Sequence, residues 1–116
     1  MAYDTHLADR VRNYLAQYST QAVEEKEMFR GLAFLVNDKM CINISGDRLL
    51  CRFDPARQPE VEERPGYLPM IMKGKELAGY CLVEPQGCRS SRDLAWWMQL
   101  CLEFNPRAKS SKRKGK

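Results

Sequence analysis

Between Gly31 and Phe53 the chain reads as three short apolar-rich runs, Gly-Leu-Ala-Phe-Leu-Val, Lys-Met-Cys-Ile-Asn-Ile-Ser and Arg-Leu-Leu-Cys-Arg-Phe, separated by the pairs Asn37-Asp38 and Gly46-Asp47. Polar or glycine pairs between such runs are hairpin signals, so the pattern predicts an antiparallel meander. With two-residue loops at both turns, Leu35 falls opposite Met40 and Ala33 opposite Ile42. Ile44, Ile42 and Met40 then fall opposite Leu49, Cys51 and Phe53. This register points Met40, Ile42, Ile44, Leu49, Cys51 and Phe53 at a helix layer and leaves Phe34, Cys41, Asn43, Leu50 and Arg52 on a wetter face. Gly31 and Ala33 fall on the helix side, where small residues admit close packing.

Helical periodicity flanks the meander. Leu7, Val11, Leu15 and Tyr18 recur at helix spacing over residues 4–18, with Asp4 placed to cap the first turn. The polar stretch from Gln21 to Arg30 fits either an edge extension or a loop. Asp54-Pro55 is a helix start, and Pro59 predicts a short or broken helix to about Glu63, closed by Arg64-Pro65-Gly66. Tyr67–Met72 and Leu77–Glu84 read as two strands joined around Gly74, and Pro69 assigns the first to an edge or a bulge. Ser90-Ser91-Arg92-Asp93 resembles a capping box opening a last helix to Phe104, with Leu94, Trp97, Met98, Leu100, Cys101, Leu102 and Phe104 on a wide apolar arc. Trp96 sits near its polar side. The fold expectation is α+β in two layers: a five-stranded antiparallel sheet with helices on one face, in the order α-β3-α-β2-α.

Charge changes the picture at one end. The 116 residues carry a net charge of +4, yet six of the nineteen Lys and Arg, and no acid, lie between Arg107 and Lys116. Residues 1–106 therefore bear 13 basic and 15 acidic side chains, a net of −2. Such a body does not present a phosphate-tracking surface. The basic excess belongs to a tail, residues 106–116, expected to be disordered when free, after a single domain spanning residues 1–105. No apolar run approaches the roughly 18 residues that cross a bilayer, and Met-Ala-Tyr-Asp-Thr-His lacks a signal-peptide layout, so no membrane partner and a cytoplasmic location are expected.

Candidate chemistry is sparse. Five cysteines, Cys41, Cys51, Cys81, Cys88 and Cys101, form no Cys-x-x-Cys pair and have one histidine, His6, in the whole chain to assist them. They read as reduced packing thiols, with no metal, no cofactor and no catalytic residue expected. Two regions remain for a ligand. One is a polar patch on the sheet made by Asn43, Arg48 and Arg52; the other is the tail, where Arg107, Lys109, Lys112, Arg113, Lys114 and Lys116 are candidate nucleic-acid contacts.

Met1-Ala-Tyr-Asp, the run Glu24-Glu-Lys-Glu-Met-Phe-Arg-Gly-Leu-Ala-Phe-Leu-Val-Asn-Asp-Lys-Met-Cys, Gly46-Asp-Arg-Leu, Pro69-Met, Gly79-Tyr, Val83-Glu-Pro, Leu94 and Trp97 together resemble the N-terminal domain of the TfoX/Sxy family over about residues 1–105. The resemblance implies a secretion-chaperone-like fold. For function it implies a non-enzymatic bacterial regulatory or adaptor module, similar to the domain found in transcriptional co-regulators of natural competence. Those act beside a cyclic-AMP receptor protein at promoters. A protein partner in the transcription machinery is therefore expected, with DNA contact through the tail and the oligomeric state left open. The alternatives are a direct nucleic-acid-binding protein of the YjbR/MmcQ kind and a small-ligand-binding domain.

Overall fold

The structure, a computed structural model, describes residues 3–19, 22–28 and 31–108. Its elements in chain order are α1 (Thr5–Tyr18), β1 (Val23–Met28), β2 (Gly31–Val36), β3 (Lys39–Ser45), β4 (Arg48–Arg52), α2 (Gln58–Val61), β5 (Tyr67–Met72), β6 (Lys75–Val83) and α3 (Ser91–Phe104). The strands form one antiparallel sheet in the order β1-β2-β3-β4-β6-β5. The class is the expected α+β, with six strands in place of five. The added strand is β1, where Glu24, Glu25, Lys26 and Glu27 are all exposed at the sheet edge; charges there discourage pairing with another chain.

Local signals set most of the boundaries. Asp4 accepts hydrogen bonds from the amides of His6 and Leu7 to start α1, and Ser90 Oγ accepts from Asp93 N to start α3. Asp54 caps a 3-10 turn at Pro55–Arg57, which runs into the one-turn α2, as Pro59 requires. Asn37 and Asp38 both take positive φ, 56° and 67°, giving the tight two-residue turn between β2 and β3. β5 is the other edge strand, with an irregular register beside Pro69.

The meander register needs one correction. Leu35 lies opposite Met40, and Ile42 and Ile44 opposite Cys51 and Leu49, as expected; but Ile42 faces Phe34, and Ala33 faces Asn43. Consecutive Phe34 and Leu35 thus meet Ile42 and Met40, which makes Cys41 the extra residue of a β-bulge. The bulge resets the parity. Cys41 and Ile42 both enter the main core with Phe34, while Met40 turns to the opposite face and packs with Ala33, Leu35 and Leu50. Gly31 is small for a different reason from the one expected: a Cβ there would lie 1.9 Å from the Ile44 carbonyl oxygen, so strand backbone, not a helix, fills the space.

The main core lies between the sheet and α1 and α3. Leu7, Val11 and Leu15 from α1 and Leu94, Trp97, Met98 and Cys101 from α3 pack on Phe34, Ile42, Ile44, Leu49, Cys51, Phe53 and Val83. Trp97 is fully buried and its indole N–H donates to the Gly87 carbonyl at 3.1 Å, so the largest side chain of the core is also polar-satisfied. Trp96 is half-buried, edge-on to Trp97, with the Arg64 guanidinium 4.0 Å above its ring. Tyr18 departs from the expected stripe and is 58% exposed, although Leu15 in the same turn is buried. Packing continues past Phe104: Asn105 and Ala108 are buried, and Lys39 Nζ donates to the carbonyls of Asn105 and Pro106.

Candidate functional site

The sheet patch does not assemble as one surface. Asn43 is fully buried, its Nδ2 donates to the Met28 carbonyl at 3.2 Å, and the chain ties β3 to the end of β1 through it. Arg52 is half-buried, donates to the Met40 carbonyl and lies 5.9 Å from the Tyr80 ring centre. Arg48 is exposed at the far end of β4, with buried Leu50 between the two arginines. Of the tail cations, Arg107 belongs to the fold: its guanidinium bonds Asp54 at 2.8 Å and lies over Phe104. The Ala56 amide, and after it this Arg107 contact, holds the Asp54 carboxyl below its usual range. Lys109, Lys112, Arg113, Lys114 and Lys116 lie outside the described residues.

All five thiols are free and buried. Four of them converge between sheet and α3: Cys51 lies opposite Cys81 in the β4–β6 ladder, and the Cys101 thiol is within hydrogen-bonding reach of Cys41 and Cys51. Donating to Cys101, and burial, push the Cys41 thiol well above its ordinary value; burial and the same neighbour do so for Cys51. Accepting from Cys41 and Cys51 moves the fully buried Cys101 thiol the other way, below its ordinary value, against the effect of its burial; all four thiols pack inside the apolar core. Cys88 lines a small cavity of about 130 Å³ together with His6, Asp4, Asp47, Arg10 and Arg89, so the fold does bring a cysteine near the one histidine. Yet Cys88 is buried, its Sγ points at the Glu84 carbonyl at 3.9 Å, and burial raises its pKa, the opposite of what a thiolate nucleophile needs.

The larger concavity is a groove of about 520 Å³ between α1 and the start of α3. Arg10, Asn13, Tyr14, Gln17 and Tyr18 supply one wall, and Ser91, Arg92, Leu94 and Ala95 the other. Arg10 is fixed at its head by donating to the carbonyls of Arg89 and Ser90 at 3.0 and 3.4 Å. Tyr14 and Tyr18 pack ring against ring with centres 4.4 Å apart, and the Tyr14 hydroxyl accepts from Gln99 Nε2 of α3. From the sequence, Arg10, Asn13 and Gln17 read as the polar side of α1 and Arg92 as the polar side of α3, while Tyr18 and Leu94 read as core positions. The i, i+4 spacing of Tyr14 and Tyr18 was the one available cue.

The family model of the TfoX N-terminal domain matches residues 13–105, most of the chain. The chain belongs to the TfoX N-terminal domain family. The match runs from within α1 to the residue after α3, so it takes in the whole TfoX-type sheet and both walls of the groove apart from Arg10. No curated protein and no solved structure matches the chain. Among the described residues of this TfoX-type domain, no helix is long and apolar enough to cross a membrane, and no group of three or more His, Cys, Asp or Glu is placed to hold a metal ion.

Proposed function

We propose that the chain is a non-enzymatic regulatory adaptor of bacterial competence transcription, working in the cytoplasm through a protein partner in the transcription machinery, with its basic tail adding sequence-blind contact to DNA. Membership of the TfoX N-terminal domain family carries this reading, since that family is associated with competence regulation. The charge distribution supports the division of labour. The body is slightly acidic and its edge strand β1 is rich in glutamates, whereas five cations and no acid follow Ala108 in sequence. Five cations that each displace about one counterion give a log–log salt slope of up to about −4.5 on duplex DNA.

The test keeps the chain whole, because a cut at residue 106 would remove Arg107 from Asp54 and Ala108 from its buried site. Replacing Lys109, Lys112, Arg113, Lys114 and Lys116 by Gln should abolish duplex binding in fluorescence anisotropy, while affinity capture by the same variant still recovers a polymerase subunit or promoter-bound activator. Sequence-specific duplex binding that survives the five replacements would refute the adaptor reading. So would capture of metabolic enzymes alone.

A further inference from the structure

We propose that the α1–α3 groove binds a nucleotide unit, one base with its phosphate, from either a free nucleotide or a single strand. Its volume, about 520 Å³, lies in the range of sites for small organic ligands. Two guanidiniums, Arg10 and Arg92, line it, and no carboxylate does, on a body whose overall charge is negative. Arg92 is exposed and has no hydrogen-bond or ion-pair partner among the described residues. Arg10 is half-buried and already oriented by two carbonyls on one nitrogen, leaving its other N–H groups for an anion. Arginine forks match phosphate oxygens in pairs, so this is the chemistry of a phosphate, not of a cation or an apolar ligand.

The aromatic half of the groove selects for a flat ring. Tyr18 is the one large aromatic side chain more than half exposed among the described residues, and it is backed by Tyr14, which Gln99 fixes in turn. A solvent-facing tyrosine held by a second ring is a stacking platform, and stacking tolerates any base. Asn13 and Gln17, one turn apart on α1, line the same groove and supply amide donors and acceptors to a base edge. Phosphate at the arginine end and base at the tyrosine end is the order that this layout imposes. The inference is independent of the tail and of the adaptor reading.

The experiment uses the full chain with the five tail cations replaced by Gln, which removes the competing polyanion site. Adenosine monophosphate, adenosine, inorganic phosphate and a 5′-phosphorylated hexathymidylate are titrated at about 0.15 M salt, where distant charges are screened, followed by calorimetry and amide chemical shifts. The monophosphate should bind more tightly than adenosine or phosphate and shift the amides around Tyr14, Tyr18 and Arg92. Tyr18→Ala and Arg92→Gln should each weaken it about tenfold, and Tyr18→Phe should retain it. Both side chains are at the surface, and unchanged melting temperatures exclude misfolding as the cause. A stronger hexathymidylate response identifies a strand as the source, and a stronger monophosphate response a free nucleotide. Absence of binding by both, equal affinity for phosphate and monophosphate, or indifference to Tyr18→Ala and Arg92→Gln would overturn the proposal while leaving partner capture untouched.

Discussion

Adding a single methyl group at Gly31 should be among the most damaging small changes in this protein. Its Cβ would sit 1.9 Å from the Ile44 carbonyl oxygen, 2.8 Å from Asn43 Oδ1 and 3.0 Å from the Ile44 carbonyl carbon. The nearest of these atoms is strand backbone, so no rotamer change relieves it. An ordinary contact would require a shift of about 1.5 Å between β2 and β3, enough to stretch the adjoining ladder hydrogen bonds, each worth about 0.5–1.5 kcal/mol. Overpacking itself costs about 1–3 kcal/mol. Together they predict that Gly31→Ala loses about 3 kcal/mol or more, a large part of the roughly 5–15 kcal/mol that holds a typical domain together. Gly74→Ala is the control. Gly74 has φ of +80° with nothing within 4 Å of its Cβ, so only the left-handed backbone is penalised, by about 1–2 kcal/mol. Urea denaturation of the two variants measures the difference. Equal losses in both would refute the argument that β3 backbone occupies the Gly31 site.

Four further outcomes follow from the same geometry. Ile42→Ala should cost about 2–5 kcal/mol in chemical denaturation, since the side chain is fully buried against Phe34 and the helix layer; a loss under 1 kcal/mol would place it outside the core. A thiol reagent at neutral pH should find no fast-reacting cysteine in the native chain and all five after unfolding, and Cys51→Ser and Cys101→Ser should lower the melting temperature by placing a hydroxyl in an apolar site. The Arg12 guanidinium bonds Glu25 at 2.8 Å and holds its carboxyl below the usual range, so this pair's contribution is present above the unfolded carboxylate pKa and is lost as pH falls through the lower folded value. Glu25→Gln should therefore flatten the acid limb of a stability–pH curve by less than about 1 kcal/mol, the pair being largely exposed, and leave stability above pH 7 with no further slope.

Those elements with a local cause are legible in the sequence. The caps at Asp4, Asp54 and Ser90 and the turns at Asn37-Asp38 and Gly46-Asp47 are short-range chemistry, and they set α1, α3 and the β2–β4 meander nearly to the residue. β1 is not legible, because a strand with exposed positions on both faces has no hydrophobic period to read; it is held by its ladder to β2, which is long-range information. The bulge was illegible for a different reason. Cys41 and Ile42 are both acceptable core residues, so no polar residue in the run marks the one that doubles up.

The groove was hidden by the same logic carried one level higher. Each of its walls, read alone, is a solvated helix face: Arg10, Asn13 and Gln17 look like the polar side of α1, and Ser91 and Arg92 like the first turn of α3. Only the sheet, by setting α1 and α3 side by side on one face, turns two polar surfaces into a concavity whose cations face the same space. The contacts that fix its shape cross between the helices. Arg10 reaches the carbonyls before α3, and Gln99 reaches back to Tyr14, so loss of either contact should loosen the groove without disturbing the core beneath it. Gln99→Ala therefore separates platform from core: both its side chain and the Tyr14 hydroxyl lie at the surface, so stability should change by less than about 1 kcal/mol. Nucleotide affinity should fall because Tyr14 no longer holds one orientation behind Tyr18. Unchanged affinity in Gln99→Ala would mean that the rings are held by their mutual packing alone.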